Sequence, residues 1–171
     1  SVVVDTFNMI SVDRDTSTND TLVVMANGLA GNETIKSMDE DYKKFYAALK
    51  TVTTYLAKAM AADGEGATKL IESTVLNAAT MNDARDLAKS VISSNLVKAM
   101  IFGNDANFGR IMCAMGYSGV KFDPYTVDIT VSSENGTIKL AENGLSTDFS
   151  EDLATKILSG KTVNITCDVK A

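Results

Sequence analysis

No histidine and no tryptophan occur in the 171 residues. The missing imidazole excludes Ser-His-Asp and Cys-His catalysis, and any metal site built on histidine, within this chain. Basic clusters are lacking too: 16 Lys and Arg stand against 22 Asp and Glu, a formal charge of −6, whereas phosphate neutralisation on nucleic acid or anionic membrane needs the opposite balance. Neither nucleic acid nor membrane is an expected partner. Apolar residues make up 45% of the chain, yet charges interrupt them throughout, and no run approaches the roughly twenty residues of a membrane helix. Cysteine appears twice, at Cys113 and Cys167. Both lie in segments that read as buried, which predicts free core thiols rather than a disulfide and a reducing, cytoplasmic setting.

What the chain does contain is alternating periodicity. Residues 1 to 9 read either as the tail of a helix, with Val3, Val4 and Phe7 near helical spacing, or as a strand started by Val2-Val3-Val4. A polar stretch from Ser11 to Asp20 precedes a continuous apolar run, Leu22 to Ala26, which predicts a strand buried on both faces. Tyr42, Phe45, Leu49, Val52, Leu56 and Ala59 recur at steps of three and four, and Ser37 with Glu40 fits a capping box, so a helix is expected with that stripe turned inward. It stops at Asp63-Gly64-Glu65-Gly66, and Leu70 to Leu76 reads as a strand. A second helix begins at Met81 behind the capping pair Thr80 and Asp83. Leu96 to Phe102 is a mixed apolar segment, after which Phe108, Ile111, Met112 and Met115 share one helical face before Gly116. Met25, Met100, Met112 and Met115 read as core filling.

Beyond Pro124, the single proline, the period changes from helical to alternating. Tyr125, Val127, Ile129 and Val131 alternate with polar residues, a turn containing Asn135-Gly136 follows, and Ile138 and Leu140 continue, as in a hairpin. Phe149, Leu153 and Ile157 predict a short helix, and Val163, Ile165, Cys167 and Val169 a last strand. The fold class expected is α/β, with residues 1–119 forming the main part and residues 120–171 a smaller ββαβ lobe.

Three segments carry polar groups worth weighing. Asp13 to Asp20 offers closely spaced oxygen ligands, but Thr18 and Val24 stand where a calcium loop needs glycine and glutamate, so a self-capped polar loop is the better reading. Asp63 to Lys69 has the glycines and lysine of a phosphate loop without its spacing, and it follows a helix rather than a strand. Glu65, between two glycines, suits a charge-assisted hydrogen bond to a substrate ammonium, or is simply a solvated turn residue. Arg110, early in a helix, either binds a carboxylate in bidentate fashion or pairs with Asp105.

Strings along the chain settle on one resemblance. Thr6-Phe7-Asn8 with Val12-Asp13, DTSTND at 15 to 20, DGEGATKLI at 63 to 71, Leu96-Val97-Lys98-Ala99 and NFGRI at 107 to 111 occur in the order they take in the glutamate N-acetyltransferase/ornithine acetyltransferase family of arginine biosynthesis. Five strings in order are far more specific than any one. The similarity spans most of residues 5 to 119 and is sparser after that. Arg14 stands where the family commonly has glycine and Phe108 where it commonly has tryptophan, departures that touch local packing more than the reaction class.

The resemblance implies a layered α/β sandwich of the self-cleaving acetyltransferase, DmpA-like type with a smaller C-terminal α/β lobe. Members cut themselves before a threonine, which then heads the β chain and carries acetyl from N2-acetyl-L-ornithine to L-glutamate by double displacement, its own α-amine serving as base. The resemblance further implies a β-chain fragment whose nucleophilic threonine lies upstream of Ser1 and whose closing substrate contacts lie beyond Ala171, so this piece alone is expected to be inactive. The implied partners are an α chain from the same precursor, in an α2β2 or larger assembly, and small amino-acid substrates. No resident cofactor is implied, with acetyl-CoA entering as a substrate in some members. One site residue carries over by motif, Glu65, which in the family contacts the amino-acid substrate. Two rivals accompany this reading: a related self-cleaving amidase or antibiotic-pathway acetyltransferase on the same scaffold, and a noncatalytic assembly module.

Overall fold

The computed structural model describes residues 1–171. Its frame is one five-stranded mixed sheet in the order β1-β5-β2-β3-β4, with β1 at Leu70–Leu76, β2 at Asp128–Ser133, β3 at Gly136–Glu142, β4 at Leu145–Ser146 and β5 at Thr162–Asp168. β1 and β5 pair in parallel, Ile71 opposite Val163 and Val75 opposite Cys167, and β5 and β2 pair antiparallel, Ile129 opposite Cys167 and Val131 opposite Ile165. This register puts Ile71, Ser73 and Val75 on the same face as the fully buried Val163, Ile165, Cys167, Ile129 and Val131. The opposite face carries half-buried polar residues such as Asn164, Thr166 and Thr130. Alternation of period two, as read from the sequence, therefore sorts the sheet into an apolar and a polar side.

Helices α2 (Met81–Ser93), α3 (Asn95–Gly103), α4 (Phe108–Gly116) and α5 (Glu151–Leu158) supply the other half of the core. Leu87, Val91, Val97, Met100, Ile101, Ile111, Met115 and Ile157 join the buried strand residues in one cluster of 19. That cluster draws on both sides of Pro124, as does the sheet itself, so the change of period there marks a change of secondary structure within one core. Capping works as the residue types require: the Thr80 hydroxyl accepts from the Asp83 N–H, Ser94 from the Val97 N–H and Ser150 from the Leu153 N–H. The Ser93-Ser94-Asn95 string is thus a boundary between two helices, with Ser94 buried as cap of the second.

The N-terminal third departs from expectation. Residues 2–5 and 7–9 form two 3-10 turns, neither α-helix nor strand. Leu22 to Ala26 is not a strand at all; it runs irregular and exposed, with Val23, Val24 and Met25 at 64%, 65% and 90% exposure. An apolar run becomes a strand only where another strand satisfies its backbone, and no neighbour in this chain does so. Helix α1 (Glu40–Ala62) forms as predicted, but Asp39, not Ser37, is its cap: the Asp39 carboxylate accepts from the Tyr42 N–H, and the Ser37 hydroxyl donates to the same carboxylate at 2.8 Å. Its inward stripe is also displaced. Thr53 and Ala57 are buried while Phe45, Val52 and Leu56 are exposed, a rotation of about one residue, or roughly 100°, from the apolar stripe.

Cys113 is exposed, whereas Cys167 is fully buried, its thiol pushed up to about 12 by that burial, and both are free. Met25 is not core, although Met100 and Met115 are. The β2–β3 turn runs from Ser133 to Gly136 with Glu134-Asn135 at its tip, and Gly136 opens β3. The Asn-Gly pair with two left-handed residues is instead Asn143-Gly144 (φ 48° and 73°) between β3 and β4. There a Cβ on Gly144 would lie 2.2 Å from the Pro124 carbonyl oxygen, so only glycine fits.

Candidate functional site

β1 is an edge strand, and along its unpaired side runs a cleft of about 630 Å³. α1 lines one wall with Thr54, Ala57, Lys58 and Ala61; α2 and α3 contribute Arg85, Ala88, Ile92 and Lys98; residues 5, 6 and 9–12 add a third side. Residues 64–69, the loop from α1 to β1, complete the lining. The loop begins where the Asp63 N–H donates to the Ala59 carbonyl, closes on itself through Ala67 N–H to Gly64 O at 2.9 Å, and ends where the Leu70 N–H donates to Lys161 O at 2.8 Å. Gly66 sits at φ +69° with open space around it, so its requirement is conformational. Glu65, between the two glycines, is exposed at the cleft and has no hydrogen-bonding or ionic partner in the chain.

Every other charged side chain of the lining is engaged. Arg85 Nε meets Asp5 Oδ1 at 2.7 Å, and the hydrogen bond from this guanidinium holds the Asp5 carboxyl below its usual range. Lys58 Nζ meets Glu72 Oε2 at 2.6 Å. Lys98 Nζ donates to Val12 O; burial lowers its pKa, with repulsion from Arg14 adding and Asp13 opposing. Lys69 Nζ donates to Ile101 O and Leu158 O, each at 2.7 Å, and to Asn104 Oδ1; burial lowers its pKa too. An unpaired carboxylate among charged neighbours that are all ion-paired or hydrogen-bonded, in a concave site with many apolar walls, is suited to take a primary ammonium by a charge-assisted hydrogen bond.

The two signature loops do not share the cleft. DTSTND is a self-capped exposed loop, in which the Asp15 N–H donates to Asp13 Oδ1 at 2.9 Å and the Asp20 N–H to Ser17 Oγ at 3.2 Å. Contact with the DGEG bend comes instead from Val12, whose Cγ1 lies 3.9 Å from the place a Gly64 side chain would begin. Arg14, at the family's glycine position, has φ +81°, and its Nε donates to Ser93 O at 2.7 Å. Arg110 Nη2 lies 3.8 Å from Asp105 Oδ2, which selects ion pairing over a free guanidinium. The roles of Asp5, Arg85, Lys58 and Glu72 carried no signal in the sequence, because each pair joins residues far apart in the chain.

Sheet, helices and cleft together define a mixed α/β protein with a site of small-molecule size. The ArgJ family model matches residues 1–171. Two curated relatives, both named arginine biosynthesis bifunctional protein ArgJ, are 52% identical (Thermotoga neapolitana) and 54% identical (Caldanaerobacter subterraneus subsp. tengcongensis), each over 97% of this chain. The chain spans 42% and 41% of their respective lengths. A crystal structure of arginine biosynthesis bifunctional protein ArgJ from Bacillus halodurans superposes with a TM-score of 0.92 at 46% identity, covering 99% of this chain and 78% of that one. The chain belongs to the ArgJ family.

Proposed function

We propose that this chain is the β-chain part of an enzyme that moves acetyl from N2-acetyl-L-ornithine to L-glutamate through an acyl-threonine intermediate, and that Glu65 receives the positively charged amine of the amino-acid substrate. The carrying observation is the unpaired Glu65 carboxylate at a cleft whose other charged side chains are all engaged. Membership of the ArgJ family and the relatives' names support the reaction class. In this reading a threonine freed by self-cleavage is the nucleophile, the α chain from the same precursor completes the site in an α2β2 or larger cytoplasmic assembly, and no resident cofactor is required. The word bifunctional in the relatives' names supports a second activity, acetylation of glutamate with acetyl-CoA as the substrate donor.

The experiment is Glu65→Gln in the complete enzyme. Losing one charged hydrogen bond is expected to raise KM for N2-acetyl-L-ornithine by roughly tenfold, with a smaller effect on kcat. Wild-type kinetics in this variant sink the assignment.

A further inference from the structure

Glu65 needs a rigid bend to be useful, yet the bend is poorly tethered by its own residues. No side chain between Asp63 and Thr68 hydrogen-bonds anywhere, and the sole backbone bond inside the stretch is Ala67 to Gly64. The side chain that ties the loop to the body is Lys69. Its ammonium has three hydrogens, and the structure gives it three acceptors: Ile101 O in the last turn of α3, Asn104 Oδ1 from the left-handed cap of α3 (φ 55°), and Leu158 O at the last residue of α5. Helix C-termini carry the negative end of the helix dipole and present free carbonyl lone pairs, so one lysine meets two helix ends at once, Ile101 O accepting from the Asn104 N–H as well. No carboxylate shares this site, and burial disfavours its charge, so dipoles alone hold the ammonium.

We infer that Lys69 is a positioning residue for substrate binding: by clamping the α1–β1 loop to the C-termini of α3 and α5, it fixes the Glu65 carboxylate at the cleft. This rests on the reading of Glu65 above, and the test separates the two. In the complete enzyme, Lys69→Met keeps length but loses all three bonds. It is expected to raise KM for N2-acetyl-L-ornithine about tenfold while kcat moves less than about twofold, because loop placement affects binding more than acyl transfer. Combined with Glu65→Gln it is expected to add little, since a misplaced carboxylate has little left to lose. Additive effects, or a wild-type KM in Lys69→Met, overturn the inference. If Glu65→Gln alone is wild type, the function reading fails instead, whatever Lys69 does. Should Lys69→Met not fold, Asn104→Gly decides: glycine adopts the left-handed cap freely, only one acceptor is lost, and KM is expected to rise about threefold at unchanged melting temperature. An unchanged KM there overturns the inference.

Discussion

Residues 10–62 and residues 70–171 contain similar kinds of apolar pattern and end in opposite situations. In the second region Val163, Ile165 and Cys167 are fully buried, because β1 and β2 flank β5 on both edges and helices cover one face. In the first, Val23, Val24 and Met25 lie open to solvent, and α1 shows Phe45, Val52 and Leu56 outward. Periodicity fixes which local conformation a segment favours, but burial depends on what the rest of the chain brings beside it. The stability of this chain should accordingly sit almost entirely in the second region.

The sharpest way to break that contrast is a pair of truncations. Ile165→Ala, at the centre of the sheet, is expected to cost about 3 kcal/mol in urea unfolding, the usual transfer and cavity penalty. Val24→Ala is expected to stay within about 0.5 kcal/mol, as for an exposed surface change. Equal costs would show that the first region is packed after all.

A smaller effect sharpens the comparison through pH. Burial alone would raise the Asp128 carboxyl, but hydrogen bonds from Lys170, the Asn143 N–H and Lys139 outweigh it and hold its pKa at about 2 against an ordinary 3.8. Lys170 Nζ and Lys139 Nζ stand at 2.7 and 3.2 Å. A carboxylate whose pKa is depressed by folding stabilises the fold fully above 3.8, and that stabilisation disappears as the pH falls through about 2. Asp128→Asn is expected to lower stability at neutral pH and to flatten the acid limb between those values, read from unfolding midpoints across pH. An acid limb identical to the wild type would remove Asp128 from the account.

The smallest effect is expected at Arg14. Its left-handed backbone costs a non-glycine residue about 1 kcal/mol, and its bond to the Ser93 carbonyl on an exposed surface returns a similar amount. Arg14→Gly should therefore change stability by less than about 1 kcal/mol. A loss several times larger would mean that the guanidinium has a task beyond anchoring this turn.

Legibility followed the range of the interactions. The Thr80–Asp83 cap, the β1 span and the alternation of Val163, Ile165 and Cys167 depend on neighbours within a few positions and were readable directly. The rotation of α1 depends on which residues reach it from elsewhere, and Leu22 to Ala26 depends on a strand partner, so neither could be read from spacing. At the site, charge and the flanking glycines leave Glu65 open between an ammonium contact and a solvated turn, and the DGEGATK resemblance is what favours the first. Lys69 was visible as a lysine near glycines, but its acceptors lie 32, 35 and 89 residues away. Only the fold brings them together.

The parallel pairing of β1 with β5 bears on how the molecule comes into being. Leu70 finds Thr162 roughly ninety residues later, across three intervening helices, a hairpin and a fourth helix. On a ribosome β1 therefore emerges well before β5, and their pairing waits for roughly ninety further residues. Closing so long a loop is entropically slow, and a waiting edge strand invites pairing with the wrong chain. β5, by docking late between β1 and β2, satisfies one side of each, and β1 keeps its other side open at the cleft.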